Sequence, residues 1–274
     1  MALKLDGTLL LAGVGNLGTA LLQGWLKRGL DPRRIIVQDP APPPAARELI
    51  ADHGIDVRAE VKSLPEPPAV LVVAVKPQVM DEAFPPLARF ARKKTVVLSV
   101  AAGRRIDGFE MSLHKGAAVV RAMPNTPASV GRGITVMVAN SHVTQAQKAT
   151  CHALLAAVGE VDWVADEHLI DAVTAVSGSG PAYVFLLTEC LAEAGVKAGL
   201  NAELANKLAR WTVAGAGELL HRSPLGPSVL RQNVTSPNGT TFAALQVLMG
   251  DKGLARLMRE AVAAAAKRSR ELAK

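Results

Sequence analysis

The chain has 274 residues, 49% of them hydrophobic and 20% charged, with 31 Lys and Arg against 24 Asp and Glu for a net charge of +7. That balance is globular rather than disordered, and the length carries one large or two ordinary domains with a sizeable core. Aromatic residues are only 3% of the chain, too few to build stacking platforms for single-stranded nucleic acid. No nucleic-acid partner is therefore expected, while the mild positive excess favours small anionic ligands.

The two cysteines, Cys151 and Cys190, show no metal or redox spacing and read as reduced core residues of a cytoplasmic protein. No apolar stretch reaches about 18 residues without a charge, so no membrane span is expected. The short apolar run Leu9 to Leu11 passes straight into glycines and lacks the pattern of a signal peptide.

Along the first 165 residues, short β-like runs alternate with helical stretches. Thr8–Ala12 reads as a strand, Leu17–Arg28 as a helix, Arg34–Gln38 as a strand and Ala45–His53 as a helix. The continuous apolar run Val70–Val75 has the character of a central parallel strand buried on both faces. Thr95–Val100, Ala118–Ala122, Thr135–Ala139 and Val161–Val164 are further strand candidates. Alternation of this kind implies βαβ units and a parallel sheet. After Trp163 the pattern changes to helical periodicity, with segments opening near Asp166, Pro181, Ala202, Ser228 and Thr241. Pairs four apart, Glu193/Lys197 and Glu203/Lys207, support exposed helix faces. The expected organisation is a dinucleotide-binding domain over 1–165 and an all-helical domain over 166–274.

The first strand runs into Gly13-Val14-Gly15-Asn16-Leu17-Gly18 and then a helix. This is G-x-G-x-x-G in the strand–turn–helix context it requires. The first glycine permits the turn, the second lets the backbone approach a pyrophosphate, and the third lets helix and strand pack closely. Phosphates would rest on the helix N-terminus. Asp39 lies 21 residues beyond Gly18 at the end of the second strand. An acid there accepts hydrogen bonds from a ribose 2′-hydroxyl and repels a 2′-phosphate, favouring NADH over NADPH; a plain turn aspartate before Pro40 fits the same position. Two further strand ends, Ala74-Val75-Lys76-Pro77 and Ala101-Ala102-Gly103, face the same crevice and can line the nicotinamide ribose, although Ala-rich ends also suit plain close packing.

Three segments suit the reacting end. Met123-Pro124-Asn125-Thr126-Pro127 is a stiff loop carrying Asn125 between two prolines. Ser177-Gly178-Ser179-Gly180-Pro181 opens a long helix, its glycines bringing backbone close to a ligand or to another helix. Ser236-Pro237-Asn238-Gly239-Thr240-Thr241 breaks a long helical run with a turn. Thr240 or Thr241 can cap the helix that follows, and its free N–H groups suit a carboxylate.

Taken together, Gly13–Gly18, Ala74–Pro77, Arg121–Pro127, Ser177–Tyr183 and Val234–Leu245 make the chain resemble the pyrroline-5-carboxylate reductases over essentially its whole length. The last segment departs from the family signature in carrying Asn238 where glycine is usual, and 224–232 departs as well. The resemblance implies a Rossmann-type domain followed by an all-helical dimerisation domain. It also implies NADPH or NADH as hydride donor and 1-pyrroline-5-carboxylate as substrate. By the same resemblance, Ser236 and the backbone of Asn238, Gly239 and Thr240 hold the substrate carboxylate; Asn125 and Ser177, on the other two segments of the reacting end, are further substrate-binding candidates. The Thr241 hydroxyl reaches the ring nitrogen as the catalytic contact, and the loop of one subunit faces its partner's nicotinamide. Three other readings stand beside it. A β-hydroxyacid dehydrogenase would carry a catalytic Lys on the helix after Pro181, where no Lys occurs before Lys197. A nucleotide-sensing binding protein would lack turnover, and a reductase of another cyclic imine would differ only in the substrate pocket.

Overall fold

The computed structural model describes residues 3–273. Its strands are β1 (Leu9–Ala12), β2 (Ile35–Gln38), β3 (Asp56–Arg58), β4 (Val70–Val73), β5 (Val96–Ser99), β6 (Ala118–Met123), β7 (Gly133–Ala139) and β8 (Gly159–Trp163). The helices are α1 (Asn16–Lys27), α2 (Pro44–His53), α3 (Met80–Ala88), α4 (Ile106–Glu110), α5 (Gln145–Leu155), α6 (Leu169–Val173), α7 (Gly180–Lys197), α8 (Ala202–Arg222), α9 (Pro227–Asn233), α10 (Thr240–Leu248) and α11 (Leu254–Leu272). One sheet runs in the order β3-β2-β1-β4-β5-β6-β7-β8. The first six strands are parallel. Their order, 3-2-1-4-5-6, is that of a dinucleotide-binding doubly wound sheet, with the reversal between β1 and β4.

The expected all-parallel sheet needs one correction. β7 pairs antiparallel with β6, and β8 pairs parallel with β7. The β6–β7 connection is too short for a crossover, so the chain doubles back. β3 also went unread: its three residues, Asp-Val-Arg, are short and largely exposed at the sheet edge.

Strand alternation divides the core in two. Leu9 and Leu11 of β1 face one side and pack with Leu21, Leu22 and Trp25 of α1, Ile50 of α2 and Leu154 of α5. Leu10 and Ala12 face the other side, with Met80 and Phe84 of α3, Phe109 of α4 and Ile170 of α6. Phe84 and Phe109 meet edge to face at 4.9 Å between ring centroids. On the first side, α1 is fixed to α5 by the buried Trp25 Nε1–H, which donates to Leu154 O at 2.8 Å. Gly24 allows that approach, because a Cβ there would lie 2.7 Å from Val158.

The chain divides into two compact units. The first holds the residues up to Gly178 together with the segment from Ala266 onward; the second is Ser179–Ala265. Within the first, the end of α11 is tied to α6, where Ser269 Oγ–H donates to Asp171 Oδ1 at 2.6 Å. Within the second, α7 and α8 form a helical hairpin whose contact runs through small residues, with Ala192, Ala205 and Ala209 buried. Other faces of this unit are apolar and exposed: Phe185 is 62% and Trp211 71% accessible. The helical run 169–197 is long and apolar enough to cross a membrane by length and composition, although Glu189 and Glu193 interrupt it. The four-apart pairs noted in the sequence make no ion pair; the helices instead pair Glu218 with Arg222 and Arg256 with Glu260.

Cys151 is buried on α5, and burial pushes its thiol up to about 12 from an ordinary value near 9. In the folded chain Cys151 is therefore expected to resist maleimide labelling at neutral pH and to label only on unfolding. Because the unfolded thiol ionises first, folding stability should fall as pH rises from about 9 towards about 12. Labelling of Cys151 at the unfolded rate under native conditions would contradict this placement.

Candidate functional site

The carboxyl ends of β1, β2, β4 and β5 are tied side by side by backbone hydrogen bonds. Gly13 N–H donates to Gln38 O at 2.9 Å, Ala74 N–H to Ala12 O at 2.8 Å, and Val100 N–H to Val73 O at 3.0 Å. The glycine turn leaves β1 beside the reversal in strand order, where open α/β sheets bind ligands.

Each glycine of the turn has a distinct constraint. Gly13 has φ +91°, and a Cβ there would sit 2.8 Å from Ala74 O. A Cβ on Gly18 would collide with the carbonyl oxygen of Gly13. Gly15 is the N-cap of α1 and faces open space, so a ligand can approach its backbone. The N–H groups of Asn16, Leu17 and Gly18 open α1, with no side chain capping them. Thr19, which sequence reasoning missed, locks the turn from beneath: its hydroxyl donates to Val14 O at 2.7 Å. This cradle fits a pyrophosphate, since two glycines exclude side chains where the chain folds tightly and the third exposes backbone.

Asp39 is brought onto the same turn. Its Oδ2 accepts from Val14 N–H at 2.8 Å and its Oδ1 from Ala41 N–H at 2.9 Å. Lys76 is exposed and caps the short 3-10 turn that begins at Pro77. Ala101 is buried while Ala102 is exposed, and Gly103 takes φ +74°. Asn125 caps the 3-10 turn 126–130, and its Oδ1 accepts from Ile134 N–H at 2.9 Å, pinning the entry to β7. Ser177 lies in a π-helical turn, 174–178, with its hydroxyl donating to Val173 O at 3.0 Å. The glycine beside it answers a packing need: a Cβ on Gly178 would lie 2.5 Å from the Met123 methyl group. The close approach is therefore to a side chain at the end of β6.

A buried ion pair supports these strand ends and was not read from the sequence. Arg121 on β6 is 4% exposed, and its guanidinium donates to Glu167 Oε1 at 2.8 Å. The same oxygen accepts from Ile106 N–H at 2.9 Å. One carboxylate thus links β6, the start of α4 and the approach to α6. Loss of either partner would strand a buried charge, a cost of about 3–5 kcal/mol. The available signal was an arginine inside an apolar strand.

In the second unit, Ser236–Gly239 forms a type II turn. Gly239 N–H donates to Ser236 O at 3.1 Å, Pro237 takes the second position and Asn238 the third, with φ +57°. Asn238 is the one non-glycine residue of positive φ among the described residues. The expected threonine cap is not formed. Gly239 is the N-cap of α10, without a side-chain cap, and Thr240 and Thr241 are its first helical residues. The correction favours anion binding, because the N–H groups of Thr240, Thr241 and Phe242 have no acceptor among the described residues. The Ser236 hydroxyl lies directly against Gly239, whose missing Cβ would collide with it.

Asn238→Gly is expected to leave the unfolding midpoint unchanged or slightly higher, and Asn238→Ala to cost about 1 kcal/mol through left-handed strain. Urea denaturation of both variants checks this, and equal stability of the alanine variant would place the turn in another conformation.

Residues 167–272 match the family model described as pyrroline-5-carboxylate reductase dimerisation, and residues 9–103 match one described as NADP oxidoreductase, coenzyme F420-dependent. A pyrroline-5-carboxylate reductase of Pseudomonas aeruginosa is 40% identical over 261 residues, covering 95% of each chain. The solved structure of a pyrroline-5-carboxylate reductase from Coxiella burnetii is similar with a TM-score of 0.90 at 36% identity, covering 98% of this chain and 99% of that one. A Plasmodium falciparum pyrroline carboxylate reductase, solved with NADP bound, is similar with a TM-score of 0.81 at 26% identity over 98% and 99%.

Proposed function

The chain belongs to the pyrroline-5-carboxylate reductase family, and from that premise we propose that it reduces 1-pyrroline-5-carboxylate to L-proline, the last step of proline biosynthesis, in the cytoplasm. The observation that carries this reading is the pairing, in one chain, of an open glycine cradle at Gly13–Gly18 with a second, uncapped helix start at Gly239–Thr241. A dinucleotide fits the first and a small carboxylate the second.

The reduced nicotinamide, when bound, supplies a hydride to the imine carbon. The protein's own part is placement. Gly15 and the first N–H groups of α1 hold the pyrophosphate, and Asp39 holds the adenosine ribose. The ends of β4 and β5, Ala74–Pro77 and Ala101–Gly103, line the nicotinamide half, with Asn125 bordering it. Ser236, with the backbone of Asn238, Gly239 and Thr240, holds the substrate carboxylate. Such a helix start contributes about 0.3–1 kcal/mol per charge when exposed, and up to about 2 kcal/mol when partly buried.

Thr241 is assigned to the ring nitrogen. A protonated imine is already electrophilic, so the hydroxyl orients the nitrogen by hydrogen bonding while the proton comes from solvent. Orientation of donor and acceptor supplies most of the rate, on the order of 7–11 kcal/mol in well-aligned reactions.

We assign residues 1–165 to the dinucleotide and 166–274 to dimerisation and substrate. The exposed apolar residues of α7 and α8, Phe185 and Trp211 among them, support a homodimer built on the helical part. In that arrangement the substrate loop of one subunit serves its partner's nicotinamide. The dehydrogenase alternative lacks its catalytic group, since α7 carries no lysine before its last residue, Lys197.

Thr241→Ala is expected to lower kcat at least about tenfold, a loss near 1.4 kcal/mol, with cofactor affinity unchanged. Steady-state kinetics beside a cofactor titration measure both, and unaltered kcat would remove Thr241 from the site. Ser236→Ala should instead raise the KM for pyrroline-5-carboxylate by about fivefold or more, one charge-assisted hydrogen bond; an unchanged KM and kcat would remove Ser236.

A further inference from the structure

We infer that the β2–α2 loop selects NADH over NADPH, with Asp39 as the discriminating residue. The inference rests on the cofactor reading above and deepens it. Three observations converge on the loop that meets the 2′ position of the adenosine ribose.

The first is the fixed carboxylate. Both oxygens of Asp39 are engaged, Oδ2 by Val14 N–H at 2.8 Å and Oδ1 by Ala41 N–H at 2.9 Å. A carboxylate held from two loops cannot swing aside to admit a phosphate. Each oxygen keeps a lone pair for a ribose hydroxyl, which can donate to it. A 2′-phosphate has no proton to donate at neutral pH and meets a like charge.

The second is the absence of donors. The segment reads Asp39-Pro40-Ala41-Pro42-Pro43-Pro44. Four of these six residues are proline and have no N–H. Of the other two, Asp39 N–H donates to Arg58 O at 3.0 Å and Ala41 N–H to the Asp39 side chain. The segment therefore offers a phosphate no free backbone N–H, and it contains no hydroxyl.

The third is the commitment of the nearest strand's cation. Arg58, at the end of β3, is paired with Asp56 at 2.6 Å and also donates to Ser63 O at 3.0 Å. On the first turn of α2 the one cation is Arg47, with its side chain exposed. Phosphate recognition ordinarily uses a guanidinium together with hydroxyl and backbone donors. Here a fixed anion stands in place of the hydroxyl and backbone donors.

The test titrates the full-length protein with NADH and with NADPH, each without substrate, following nicotinamide fluorescence. Steady-state kcat/KM is then measured with each cofactor and pyrroline-5-carboxylate. NADH is expected to bind at least about tenfold more tightly, with kcat/KM following the same order. Asp39→Asn keeps an oxygen for Val14 N–H but removes the charge and the acceptor for Ala41 N–H; it should raise NADPH affinity about tenfold. Asp39→Ser combined with Pro40→Arg adds a hydroxyl, an N–H and a cation, and should reverse the preference. Equal or tighter binding of NADPH by the unaltered protein would overturn the inference while leaving the reductase reading intact. Binding of neither nucleotide would remove both.

Discussion

The nucleotide end of this protein depends on a single close approach. The turn after β1 passes so near the end of β4 that a methyl group on Gly13 would press against the Ala74 carbonyl, and α1 rises so steeply that one on Gly18 would strike Gly13 itself. These two exclusions set the angle at which α1 leaves the sheet. They therefore decide where its N–H groups point and bring Val14 within reach of Asp39. The rest of the crevice is assembled around that turn by backbone bonds between neighbouring strand ends and by the buried Arg121–Glu167 bridge. Structural constraint and ligand chemistry thus fall on the same few residues: the glycines that permit the fold also leave the space a pyrophosphate needs.

The start of α10 uses the same physics in a different form. A type II turn delivers the chain to α10 with the first N–H groups of the helix unsatisfied. A threonine cap would have filled one of them from within the chain; Gly239 at that position leaves them for a ligand. Asn238 keeps the turn because asparagine tolerates a left-handed backbone better than other residues with a side chain. The departure from the family's usual glycine is therefore conservative in backbone terms.

Much of this was legible in the sequence, and the failures share a cause. Strands buried on both faces, such as Val70–Val73, announce themselves as unbroken apolar runs, and the glycine turn announces itself by spacing. Strand direction leaves no periodic trace, so the reversal at β7 was invisible. β3 is three residues long at an edge, without apolar alternation to mark it. α3 carries Pro85 and Pro86 inside it, which masks a helical pattern. The helical run after Thr240 reads as continuous, yet it is two helices, because Gly253 packs against the Leu248 carbonyl where a side chain would not fit. At the site, residues acting through backbone N–H groups were found by motif. Thr19, which acts through a local side-chain bond outside the glycine motif, and Glu167, which acts by tertiary contact, were not.

In the proposed function this chain places a reduced nicotinamide against the imine carbon of a cyclic amino acid. The most direct measurement follows the hydride itself. Reduced cofactor carrying deuterium at the transferring carbon is incubated with the full-length protein and 1-pyrroline-5-carboxylate, and the product is analysed by NMR. The account predicts L-proline with deuterium on the ring carbon that adjoins nitrogen and does not bear the carboxylate. Absence of proline, or proline without that label, would contradict it.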